Sequence, residues 1–179
     1  MQTNGEKKDR RSKYLILLLL LITLIAVGVT VWALFFRDTR PVLTPDYAPQ
    51  ETEAHAETIP GDSGDKLEQP QGGGSVSLTY TKQVTIDLSD EKVSLLFANP
   101  GKSNQNMVLQ IIIQDEIIVQ SGTLTPGNQV TTLDLLDGAA KMLSAGIYEG
   151  KFNVLYYYQD TGEKAIVNTE IPITITVTE

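Results

Sequence analysis

Residues 146–158 read Gly-Ile-Tyr-Glu-Gly-Lys-Phe-Asn-Val-Leu-Tyr-Tyr-Tyr, and their alternation decides the fold. A strand turns successive side chains to opposite faces. Tyr148, Gly150, Phe152, Val154, Tyr156 and Tyr158 therefore share one face, read as inward. Ile147, Glu149, Lys151, Asn153, Leu155 and Tyr157 share the other. The stretch at 164–178 repeats the pattern, with Val167, Thr169, Ile171, Ile173, Ile175 and Val177 read as inward. Upstream, Val76, Leu78 and Tyr80 alternate with polar residues, as do Val84, Ile86 and Leu88. Further strands are predicted at about 92–98, 106–114, 116–121 and 129–136. In 106–114, Met107, Leu109, Ile111 and Ile113 are read as inward. Turn signals separate these runs at Asn99-Pro100-Gly101, Asp115-Glu116, Pro126-Gly127-Asn128 and Asp160-Thr161-Gly162-Glu163. Only 138–144 has the composition of a helical turn. Short strands without a long helix, over about 105 residues, predict an all-β sandwich of seven or eight strands.

Two segments sharpen that class. Leu143-Ser144-Ala145-Gly146-Ile147-Tyr148 resembles the tyrosine corner of immunoglobulin-like folds, where a Tyr opening the F strand hydrogen-bonds back to the preceding turn. The closing strand Ile171-Pro172-Ile173-Thr174-Ile175-Thr176-Val177 is similar to the last strand of bacterial immunoglobulin-like modules. So is Phe97-Ala98-Asn99-Pro100 followed by Pro126-Gly127. The resemblance covers residues 76–178 and implies an immunoglobulin-like β-sandwich without the inter-sheet disulfide. With the upstream segments, the chain resembles a single-pass surface protein of a Gram-positive bacterium.

Those upstream segments are of different material. Residues 14–36 hold 20 apolar residues in 23 and no charge. As a helix they extend about 35 Å, enough for a hydrocarbon core of roughly 30 Å. Five basic residues lie before the run, and Arg37 and Arg40 follow it. That bias places 1–13 in the cytoplasm as a short tail and the remainder outside. The run exceeds the length of a signal-peptide core, so it is read as a transmembrane signal-anchor. Ala26 and Thr30 form a small-xxx-small pair suited to helix pairing. Residues 37–74 carry only 8 apolar residues in 38, and are rich in Pro, Glu and Gly. That composition predicts a disordered spacer, with the body beginning at Ser75. The lone His55 is then a solvated linker residue.

The 179-residue chain has a net charge of −8, no Cys and one His. An acidic body argues against nucleic-acid binding. A single His in a spacer excludes a Ser–His–Asp triad, and the absence of Cys excludes thiolate chemistry. No phosphate loop or dinucleotide fingerprint occurs. Asp87-Leu88-Ser89-Asp90-Glu91 has the carboxylates of a cation site but reads as a solvated turn. Asn168 and Glu170, on the outward face, are badly placed for an intramolecular isopeptide bond. No cofactor, metal, small-molecule substrate or catalytic residue is expected.

Strands 106–114, 147–158 and 164–178 would be neighbours in such a sandwich. Their outward apolar residues, Val108, Ile112, Leu155, Tyr157 and Ile166, would then form a patch, the candidate binding face. The alternative is the loop end at Asn99–Gln105. The expected function is a non-catalytic binding or scaffold module outside the cell membrane. The partners are the lipid bilayer, through residues 14–36, and another cell-envelope protein of a pilus or secretion type. Cell-wall polymer binding, signal sensing and, last, an enzyme are the alternatives.

Overall fold

The computed structural model describes residues 4–35 and 43–179, in two compact units. The first is one helix, α1, Asn4–Phe35. Its stretch Lys13–Trp32 is long and apolar enough to cross a membrane. Two hydroxyls in that stretch are satisfied internally: Thr23 Oγ1 donates to the Leu19 carbonyl and Thr30 Oγ1 to the Ala26 carbonyl, each at 2.8 Å. Such back-bonding lets a hydroxyl sit among apolar neighbours. The helix starts inside the basic tail, and the last residue of the expected 14–36 span lies outside the described residues.

The second unit is mostly strand, with nine strands in one curled, mixed sheet among the described residues. They are β1 Glu57–Thr58, β2 Thr79–Tyr80, β3 Gln83–Asp87, β4 Lys92–Asn99, β5 Gln105–Ile113, β6 Glu116–Gln120, β7 Asn128–Asp134, β8 Gly146–Tyr158 and β9 Lys164–Thr178. The order is β1-β7-β4-β3-β9-β8-β5-β6, with β2 beside β4. β3 is the link between halves: it runs antiparallel to β4 and parallel to β9. There the sheet curls until β4 lies over β8. Phe97 of β4 meets Phe152 of β8 edge-on, with centroids 6.0 Å apart, although the two strands are not paired. Between them lies the core: Val84, Ile86, Val93, Leu109, Ile111, Val154, Ile173 and Ile175, all buried. A short 3-10 turn, Ala139–Met142, stands where the helical turn is expected.

The tyrosine corner is present. The Tyr148 hydroxyl accepts from the Ser144 N–H at 3.1 Å and donates to the Ser144 carbonyl at 3.0 Å. The inward sets of β5 and β8 hold. In β9 the inward reading fails at Val167, which is 66% exposed. The β8–β9 register shifts between Leu155 and Tyr157, so Ala165, Ile166 and Val167 bulge opposite Tyr156. A bulge breaks the two-residue period on which the reading relied. The β5–β6 hairpin also turns one residue early, on Gln114 and Asp115, both at positive φ.

The expected disordered spacer is corrected for residues 43–74. The unit begins at Pro41 rather than Ser75. Residues 43–59 cross the body as a strap and contribute β1, which pairs with β7 at Glu57↔Gln129 and Thr58↔Asn128. The following stretch stays attached: Leu67 N–H donates to the Lys102 carbonyl and Lys66 Nζ to the Ser103 carbonyl. The composition argument applies to a segment folding alone. This one needs no core of its own, because its backbone groups are satisfied by the body.

Candidate binding face

β5 and β8 pair Val108 with Leu155 and Asn106 with Tyr157, and β9 sets Asn168 opposite Leu155. The outward side chains of Val108, Leu155 and Tyr157 thus meet, forming a small apolar cluster separate from the main core. To that extent the sequence reading assembles the right residues. Their exposure is corrected: all three are fully buried, and Ile112 is 4% exposed. Ile166 is the opposite case, 93% exposed and carried by the β9 bulge.

The strap covers the cluster. Ala48 packs on Val108, Leu155 and Tyr157. The Tyr157 hydroxyl donates to the Pro45 carbonyl at 3.1 Å, and Asn153 Nδ2 to the Leu43 carbonyl at 3.4 Å. Backbone bonds flank these contacts: Ala48 N–H to the Gly162 carbonyl and Lys164 N–H to the Asp46 carbonyl, each at 2.9 Å. Further along, Glu53 N–H donates to the Thr123 carbonyl. The Glu53 carboxylate accepts the N–H of His55 and that of Gly122. Gly122 is the seat. A Cβ there would lie 2.8 Å from the Glu53 nitrogen and 2.9 Å from its Cα. Only a residue without a side chain lets the two backbones approach so closely.

His55 is likewise not a solvated linker residue. Its Nε2 is 2.9 Å from Asp134 Oδ2, and Lys92 bonds the other oxygen of the same carboxylate. The Lys92 ammonium, and His55 after it, hold the Asp134 carboxyl below the usual carboxylate range. Glu51, Glu53, His55, Gln120, Gly122 and Asp134 line a shallow cleft along this seam. Here the lone His joins strap to body. The alternative site, Asn99–Gln105, is also covered. Asp62 accepts the Gly101 N–H, and Asn104 Nδ2 donates to the Leu67 carbonyl. At the acidic turn, Asp87 accepts from the hydroxyl and N–H of Ser89 and from the N–H of Asp90. Those bonds lower its carboxyl pKa, the Ser89 hydroxyl most of all.

No family model matches the chain, and no curated protein matches it. Among solved structures, the chain is similar to AggA, the major subunit of aggregative adherence fimbriae type I from Escherichia coli. The identity is 14%, over 63% of this chain and 100% of that one, with a TM-score of 0.29. A likeness of that size says nothing of what this chain binds.

Glu53, Gly122, Asp134 and Pro45 are the site residues that sequence reasoning missed. One signal was available. Met107–Ile113 holds six apolar residues in seven. A near-continuous apolar run marks a strand buried on both faces. It asks for a cover, without saying which segment supplies it.

Burial pushes the Tyr157 phenol up to about 12, and the Asp46 carboxylate adds to the rise. A free phenol ionises near ~10. The covered state therefore holds the proton more tightly than the uncovered one. Its contribution is complete below about 10 and is lost as pH climbs from there towards about 12. An ultraviolet titration of the parent minus Tyr157→Phe should show one late-ionising phenol. A difference curve centred on the free value would mean that the cover is open.

Proposed function

We propose that the chain is a membrane-anchored, non-catalytic binding module outside the cell, which engages another protein of the envelope. Its body is read as an immunoglobulin-like sandwich, with β4 and β7 in one sheet and β9, β8, β5 and β6 in the other. The observation that carries the reading is α1. From Tyr14 to Trp32 its Leu, Ile and Val side chains stand exposed, on every side of the helix. Such a surface needs lipid or another apolar partner around it. The charge bias across the span, five basic residues against two, supports an outward body. The body supports binding over catalysis: its sole His serves to pin the strap.

Because the chain has no Cys, single cysteines report topology cleanly. Ser12→Cys and Ala145→Cys, expressed separately in intact cells, are treated with a membrane-impermeant maleimide. Ala145→Cys is expected to label at once, and Ser12→Cys only after permeabilisation. The reverse pattern overturns the orientation. Labelling of both in intact cells, or recovery of the body free of the membrane, overturns the anchor.

A further inference from the structure

The strap is an imperfect cover, and its defects lie around the apolar cluster. Two buried carboxamide oxygens, Asn106 Oδ1 and Asn168 Oδ1, have no hydrogen-bond partner. Asn106 stands opposite Tyr157, and Asn168 opposite Leu155, so they flank the cluster from β5 and from β9. An unpaired buried acceptor costs about 1–3 kcal/mol. The strap is poorly equipped to supply donors here. Over the cluster it reads Leu43-Thr44-Pro45-Asp46-Tyr47-Ala48-Pro49, and Pro45 and Pro49 have no N–H. Ala48 is its one apolar contribution to the cluster.

Charge is the second defect. Residues 75–179 hold six Lys and twelve Asp or Glu, a net of −6. The strap laid on them carries Asp46, Glu51 and Glu53, so cover and body have the same sign. What the face lacks is N–H donors and positive charge.

We propose that the outer face around Val108, Leu155 and Tyr157 is a docking groove for an extended, cationic polypeptide segment of another protein, for which residues 43–53 are a displaceable stand-in. The incoming segment adds donors for Asn106 and Asn168 and compensates the acidic body. The strap's backbone bonds at Gly162, Lys164 and Thr123 show that the groove accepts an extended chain. The proposal rests on the binding-module reading, but not on the membrane topology.

The test uses the full chain in neutral detergent micelles. The probes are two fluorescein-labelled synthetic peptides: residues 43–53 unchanged, and the same with Pro45→Lys and Pro49→Lys. The doubly substituted peptide is expected to bind at least about ten-fold more tightly, and to speed hydrogen exchange at the Ala48 amide as the strap leaves. In a Gly122→Ala chain, where the added Cβ meets Glu53, the affinity is expected to rise a further ten-fold or so. The groove is then open in a larger fraction of molecules. Equal affinity of the two peptides overturns the proposal. So does binding that leaves Ala48 protected, or that Gly122→Ala does not strengthen. A Gly122→Ala chain that becomes dimeric makes the strap of a second copy the occupant, and that also overturns it. Because topology is read separately by maleimide labelling, failure of the groove and failure of the anchor are distinguishable.

Discussion

Phe152→Ala should lower the unfolding free energy of the body by about 3–5 kcal/mol, the cost of truncating a buried aromatic. Phe152 is fully buried. It takes the edge of Phe97 at 6.0 Å and that of Tyr80 at 6.4 Å. These contacts join β8 to β4 and β2 across the sandwich, so the cavity opens where the two halves of the sheet meet. Small domains are stable by only about 5–15 kcal/mol, so the loss is a large fraction of the total. Urea titration of the parent and variant chains measures it, as a lower midpoint at unchanged slope. A loss below about 1 kcal/mol would mean that β8 turns its other face to the core.

Leu155→Lys should have the second-largest effect, and a different one. Leu155 is as buried as Phe152, so an ammonium in its place is unpaired and desolvated. The layer above it is only the strap. The charge can reach water by lifting residues 43–53, which a charge in the main core could not do. The expected cost is therefore limited to the docking of the strap, about 1.5–3 kcal/mol by the burial of one large aliphatic side chain. The signature is selective. Amides of Ala48 and Glu53 should lose hydrogen-exchange protection, while those of Val154 and Ile173 keep it. Uniform loss of protection would show that strap and sandwich unfold as one unit.

The difference between the two substitutions marks where sequence reading succeeded and where it failed. Phe152, Val154, Ile173 and Ile175 were legible as inward because a strand's period of two is a local property. Tyr148 was legible as a corner because its partner, Ser144, is four residues away. Val167 was misread because the bulge at 165–167 depends on register against β8. The face at Val108, Leu155 and Tyr157 was assembled correctly but judged open. Nothing local in residues 43–59 announces a cover: they are acidic, Pro-rich and poor in apolar groups. Their partners lie far away in sequence, with Asn153 bonding the Leu43 carbonyl and Tyr157 the Pro45 carbonyl.

By itself the sequence determined the two materials of this protein: an uncharged helix of membrane length, and a body of alternating strands with its inward residues. Both follow from short-range periodicity and composition, which side chains set for themselves. Only the tertiary structure decided that the curled sheet has nine strands, that β3 pairs parallel to β9, and that the segment before Ser75 belongs to the body. It also decided the role of Gly122, whose missing side chain acquires meaning only when Glu53 lies within 3 Å of it. The physical reason is the same in each case. A strap without its own core is held by backbone hydrogen bonds to distant strands, and backbone groups are alike in nearly every residue, so the sequence carries little trace of where they will pair.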